Sequence, residues 1–102
     1  MKKWQPEKFW IATYGEPLQV QGFAYLGLGL DERNDWICTH LGTGFRIFGT
    51  KTWFLASKVG IELAEMCDWD WSGEQGHLNR DPDIRTKAGI IMAAYGDMVL
   101  VA

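Results

Sequence analysis

Long apolar runs are missing from this chain of 102 residues. One of the longest, "GIIMAAYG" at 89–96, falls far short of the ~20 residues that a membrane-spanning helix needs. The first residues, "MKKWQPEKFW", carry charge but no apolar signal core behind it, so the chain reads as a cytoplasmic protein beginning at Met1, with no membrane contact. Cysteine is scarce as well. Cys38 and Cys67 stand 29 residues apart, which is neither a secreted disulfide framework nor a metal-ligand spacing, and both are expected to be reduced and buried. Clustered base is also lacking: the formal charge is −3, and only "KK" at 2–3 and "RTK" at 85–87 bring cations together. A dedicated nucleic-acid binder would need its Lys and Arg gathered on one surface to meet phosphates, so that class is set aside. Repeats, linkers and low-complexity segments are absent too, and residues 1–102 read as a single domain.

What is present is the composition of a folded domain, 47% hydrophobic and 23% charged. Six tryptophans exceed what a core of this size needs, which leaves ring surface for a partner, because Trp, Tyr and Arg dominate interface energetics.

"PEKFWIATYG", 6–15, alternates weakly and is read as strand or irregular structure, although its Pro and Gly also suit a short helix. From Leu18 to Leu30 apolar residues alternate in the period of one strand, bent at Gly22. Turns at "DERND" (31–35) and "GTG" (42–44) then lead into "WICTHL" and "FRIF" as successive hairpins. Helical spacing takes over after Thr50 or Thr52, either of which can cap the first turn. Leu55, Val59, Leu63 and Met66 form its stripe against the sheet, and Ala56, Gly60 and Ala64 a small-residue stripe that permits close approach. A second helix opens at Asp81 and Pro82, buries Ile84, Ala88, Ile91 and Tyr95, and stops at Gly96. "MVLVA" reads as a short last strand, with a frayed tail as the alternative. The fold class is therefore α+β, an antiparallel meander of three to four strands with two helices packed mainly on one face.

Three stretches carry candidate chemistry. Cys38 and His40 are two apart on a strand and point to the same face, not toward each other, so His40 reads as a turn-fixing residue and not as a catalytic base. "GTG" lacks the Lys and the following helix start of a phosphate loop, and reads as turn chemistry. "DWDWSGEQGHLN", 68–79, places Asp68, Asp70, Ser72 and Glu74 at alternate positions with Gly73 between them, as the start of an EF-hand calcium loop does. The pattern then fails, because Gln75 replaces an apolar residue and Asn79 stands where a bidentate carboxylate is required. Metal binding is left open and no cofactor is expected. Glu62, Glu65, Asp68, Asp70 and Glu74 also form an acidic run with no base among them, interleaved with Trp69 and Trp71. A solvated face is the commonest reading of such a charge run, but rings to desolvate and charges to steer are also what a surface for a basic partner needs, with one Trp of the pair expected in the core.

"WICTHLGTGFRIF", followed by "ASKVGIELAEM" and "DW", resembles small phage and mobile-element proteins in which a W-x-x-T-H-x-x-T-G hairpin precedes one helix. That resemblance implies a small acidic accessory protein that occupies a surface on a host defence complex, anti-CRISPR proteins included. The expected function is a non-enzymatic protein-binding module whose partner presents a basic surface to Glu62, Glu65, Asp68, Trp69, Asp70, Trp71 and Glu74. The alternatives are a small-molecule or weak cation binder and, behind it, a small hydrolase.

Overall fold

The computed structural model describes residues 3–69, 82–95 and 99–100. Five strands follow one another as an antiparallel meander: β1 (Gln5–Ile11), β2 (Leu18–Tyr25), β3 (Leu28–Glu32), β4 (Trp36–His40) and β5 (Arg46–Thr50). The two-residue β6 (Val99–Leu100) pairs with β5. Helix α1 (Trp53–Met66) packs over β3, β4 and β5, and α2 (Pro82–Ala93) packs against α1 and β6. The α+β architecture matches the sequence reading, with five strands in the meander where three to four are expected.

The additional strand has a local cause. The alternating run 18–30 is two strands, not one, because Leu26 and Gly27 both adopt positive φ, +48° and +90°. Two consecutive left-handed residues between Tyr25 and Leu28, which pair directly, make the tight turn that matches the twist of a hairpin. The turn also inverts the parity: Tyr25 pairs with Leu28 and Phe23 with Leu30, so odd residues of β2 share a face with even residues of β3, whereas the sequence alternation carries the even positions straight through. The segment at 6–15 resolves as β1, with seven residues in register against β2.

Gly22 marks where the sheet changes width. Residues 18–22 of β2 pair only with β1, whereas 23–25 pair with β1 or β3 and close the central sheet. A Cβ at Gly22 would stand 2.2 Å from the Leu30 carbonyl oxygen and 3.0 Å from the Phe9 ring, so only glycine allows this approach. The β1–β2 ribbon then curls over the helix-free face. There Phe9 packs over Gly29, and the Ala12 N–H donates to the Gly44 carbonyl at 2.8 Å.

The main core lies on the other face, between sheet and helices. Leu28, Leu30, Cys38, Ile47 and Phe48 from the strands meet Ala56, Val59, Leu63, Ala88 and Met92 from the helices. Ile47 is the extra residue of a bulge, since Cys38 pairs with Phe48 while Thr39 pairs with Arg46; this lets both Ile47 and Phe48 be buried. Thr52 caps α1, its hydroxyl accepting from the Leu55 N–H at 3.2 Å. The small-residue stripe Ala56, Gly60 and Ala64 is buried together with Val59 and Leu63, while Leu55 and Met66 are only half-buried. In α2 Ala88 is buried, and Ile84, Ile91 and Tyr95 are partly buried against the core as expected; Met92 joins them. The expected cap Asp81 and stop Gly96 lie outside the described residues.

Candidate partner-binding surface

Trp69 is where the chain leaving α1 meets the sheet. Its ring is 2% exposed, its Nε1–H donates to the Leu63 carbonyl at 2.8 Å, and its own carbonyl lies 2.9 Å from His40 Nε2. Trp69 is thus a core residue. Its burial corrects the expectation that it presents a ring to a partner: indole surface already packed on the core cannot be desolvated again by binding. Asp70, Trp71 and Glu74 lie outside the described residues, as do the remaining ligand positions of the calcium-like stretch.

The acids of α1 are exposed but engaged. Glu65 accepts from Lys3 Nζ and from the Tyr25 hydroxyl, each at 2.5 Å, which ties the helix to the N-terminal segment and to β2. The Lys3 bond, and then the Tyr25 bond, hold the Glu65 carboxyl below its ordinary range. The same bond to Glu65 raises both Lys3 and Tyr25. Glu62 accepts from the Tyr95 hydroxyl and so joins α1 to α2, and that bond raises the Tyr95 phenol. Asp68 is exposed at the end of α1. Glu62, Glu65 and Asp68 therefore share the C-terminal half of one helix and its exit, as an acidic edge partly neutralised by its own contacts.

His40 is fully buried, and its role is structural. The Trp69 carbonyl can only accept, so Nε2 carries the ring proton of the neutral imidazole. Nδ1 is then the acceptor for the Thr43 hydroxyl at 2.9 Å, and the Thr43 oxygen accepts in turn from the Phe45 N–H at 3.3 Å. Both ring nitrogens are occupied, so no lone pair remains for a substrate proton. Cys38, beside it, is completely buried, and burial followed by the charge of Asp31 pushes its thiol far up. A thiol so held is no nucleophile. Each fixed position of W-x-x-T-H-x-x-T-G has a place in this hairpin. Trp36 packs its ring 5.0 Å from Trp53, Thr39 is buried, and His40 and Thr43 fix the turn. Gly44, at φ +77°, lets the turn press against β1 at Ala12.

Large exposed rings gather elsewhere. Trp10 is 57% exposed, Leu18 is 55% exposed and Tyr14 is fully exposed, all on the β1–β2 ribbon beyond the reach of the helices. Trp10, Glu16 and Pro17 line a shallow open depression there. The tip is held in shape by Thr13, whose hydroxyl accepts from the Gly15 N–H at 3.0 Å and donates to the Glu16 carbonyl at 2.7 Å. A second exposed pair, Trp53 and Phe54, opens α1. Trp53 is the hub of an aromatic cluster with Trp4, Phe23 and Trp36, and Lys58 lies 5.2 Å from the centre of the Phe54 ring. The sequence reading places its candidate surface on the C-terminal half of α1 and the stretch that follows, and does not name the exposed residues of the ribbon. The available signal was the excess of tryptophan together with "KFWIATY", whose alternation sends Phe9 and Ile11 inward and Trp10 outward.

Comparison with protein-family models, curated proteins and solved structures finds no match to this chain.

Proposed function

We propose that the protein is a non-enzymatic protein-binding module, of the kind that mobile elements deploy against a surface of a host defence complex, anti-CRISPR proteins included. The observation that carries this reading is the ribbon. Trp10 and Pro17, which line one depression, and Tyr14 at the tip present apolar surface on a two-stranded arm whose tip is already ordered, so little conformational entropy is lost when a partner covers it. The open depression at Trp10 suits a protruding partner side chain better than an enclosed small molecule. The formal charge of −3, with Glu62, Glu65 and Asp68 exposed at the far end of α1, supports a partner whose surface is basic and whose approach is steered electrostatically. His40 and Cys38, the groups most suggestive of catalysis in the sequence, are committed to the fold, which weighs against a hydrolase.

The test is affinity capture from host lysate with the parent chain and a Trp10→Ser variant side by side, both shown to be folded by circular dichroism. The expected result is a stoichiometric partner on the parent that the variant retains about tenfold more weakly or worse, as for a central aromatic of an interface. Equal capture by both would reject the ribbon as the binding surface.

A further inference from the structure

We infer that His40, Thr43 and Trp69 form an acid-releasable clasp that holds the chain leaving α1 onto the β4–β5 hairpin. This inference is independent of the proposed partner surface.

The hydrogen bonds run in one direction: Phe45 N–H to the Thr43 oxygen, the Thr43 hydroxyl to His40 Nδ1, and His40 Nε2–H to the Trp69 carbonyl. That order requires a neutral ring. A second proton would sit on Nδ1 and face the Thr43 hydroxyl hydrogen. The hydroxyl would then have to turn away, and its oxygen would have to accept from both His40 and Phe45. The ring is also completely buried, so charging it would cost the imidazolium its hydration. Burial accordingly lowers the affinity of His40 for a proton, and the bond to the Trp69 carbonyl offsets this only in part.

What the clasp holds is well defined. The Trp69 ring lies 5.6 Å from the imidazole, centre to centre, and a Cβ at Gly27 would stand 3.0 Å from the Trp69 Cβ. Trp69 is therefore seated against both the β2–β3 turn and the β4–β5 turn. Once His40 is freed, it binds a proton near the ordinary imidazole value of about 6.5. The open form thus takes up protons that the closed form refuses. The clasp is fully closed above that pH and is progressively released as pH falls below it, down to the lowered value of the closed state. Among the described residues, the titratable groups on the surrounding elements are Asp31 and Glu32 of β3, Cys38 of β4, Arg46 of β5, Lys58, Glu62 and Glu65 of α1, and Cys67 and Asp68 at its exit. All of them remain in a His40→Gln variant, which separates their contribution from that of the ring.

The measurement is amide hydrogen exchange on the full chain between pH 7.5 and 5, corrected for intrinsic exchange, together with imidazole nitrogen shifts. The expected result is an Nε2–H tautomer at pH 7.5. Protection at 67–69 and 41–45 should fall by about tenfold on acidification while the β2–β3 amides keep theirs. His40→Gln should abolish the pH dependence, and His77→Gln, which removes the chain's other imidazole, should preserve it. Protection at 67–69 that does not respond to pH in the parent, loss of protection spread evenly over the sheet, or the same pH response in His40→Gln would each overturn the inference.

Discussion

The Trp4 ring lies directly over Gly60. A Cβ placed on Gly60 would stand 2.6 Å from Trp4 Cζ2 and 3.0 Å from Cη2, and the ring is fixed there by its Nε1–H, which donates to the Ser57 carbonyl at 3.2 Å. A glycine in mid-helix is thus explained by the residue that precedes β1, and the segment leading into β1 is locked onto α1.

Two glycine substitutions should therefore move stability in opposite directions. Gly60→Ala gains helix propensity of about 1 kcal/mol, but overpacking against a fixed ring costs about 1–3 kcal/mol, so the melting temperature should fall, and Gly60→Leu should lower it further. Gly89 in α2 has no described atom within 4 Å of its would-be Cβ, so Gly89→Ala should raise stability by about 0.5–1 kcal/mol. Thermal melts of the variants decide it; a more stable Gly60→Ala would remove Trp4 from the helix surface.

The β2–β3 turn carries a removable strain. Leu26 sits at φ +48° with its side chain exposed, in a conformation that costs an L-residue about 1–2 kcal/mol and that asparagine tolerates far better. Leu26→Asn should stabilise the protein by roughly 1 kcal/mol, a rise of about 4–8 °C in melting temperature for a domain of this size. A lower melting temperature would mean that the Leu26 side chain contributes packing that outweighs the backbone strain.

Calcium at millimolar concentration should leave the melting temperature unchanged. A site of useful affinity would add RT ln(1 + [Ca]/Kd), about 2.7 kcal/mol at a hundredfold excess over Kd, which a thermal scan resolves easily. The residue after Asp68 is buried in the core, and the EF-hand pattern lacks its last carboxylate, Asn79 standing in its place. A rise in melting temperature that Asp70→Ala abolishes would reinstate the loop as a cation site.

The sequence makes some of this fold legible and hides the rest for physical reasons. Helical periodicity and a threonine cap, Thr50 or Thr52 by sequence and Thr52 in the structure, locate α1 closely, because both signals are local. The turn at Leu26–Gly27 is hidden because the even positions Ala24, Leu26, Leu28 and Leu30 stay apolar through it although the pairing changes parity there, and because leucine is a rare choice for a left-handed position. The role of Trp69 is hidden for a different reason. Whether a tryptophan after a helix faces solvent or core depends on partners far away in sequence, here His40 and Gly27, and composition carries no record of that distance. The outward position of Trp10 is a local signal, since the alternation of "KFWIATY" already sets it on the face opposite Phe9 and Ile11. His40 is likewise readable as a turn-fixing residue, since Thr43 lies three residues on.

The most direct test of the binding account is oxidative footprinting of the chain alone and in complex with its captured partner, with peptide-level readout of each ring. Trp10 and Tyr14 should be labelled readily in the free chain and protected about tenfold or more in the complex, while Trp69 stays unlabelled in both. Glu65→Gln should leave that footprint in place and chiefly alter the salt dependence of association. Unchanged labelling of Trp10 and Tyr14 in a stable complex would contradict the account and move the interface to the Trp53–Phe54 end of α1.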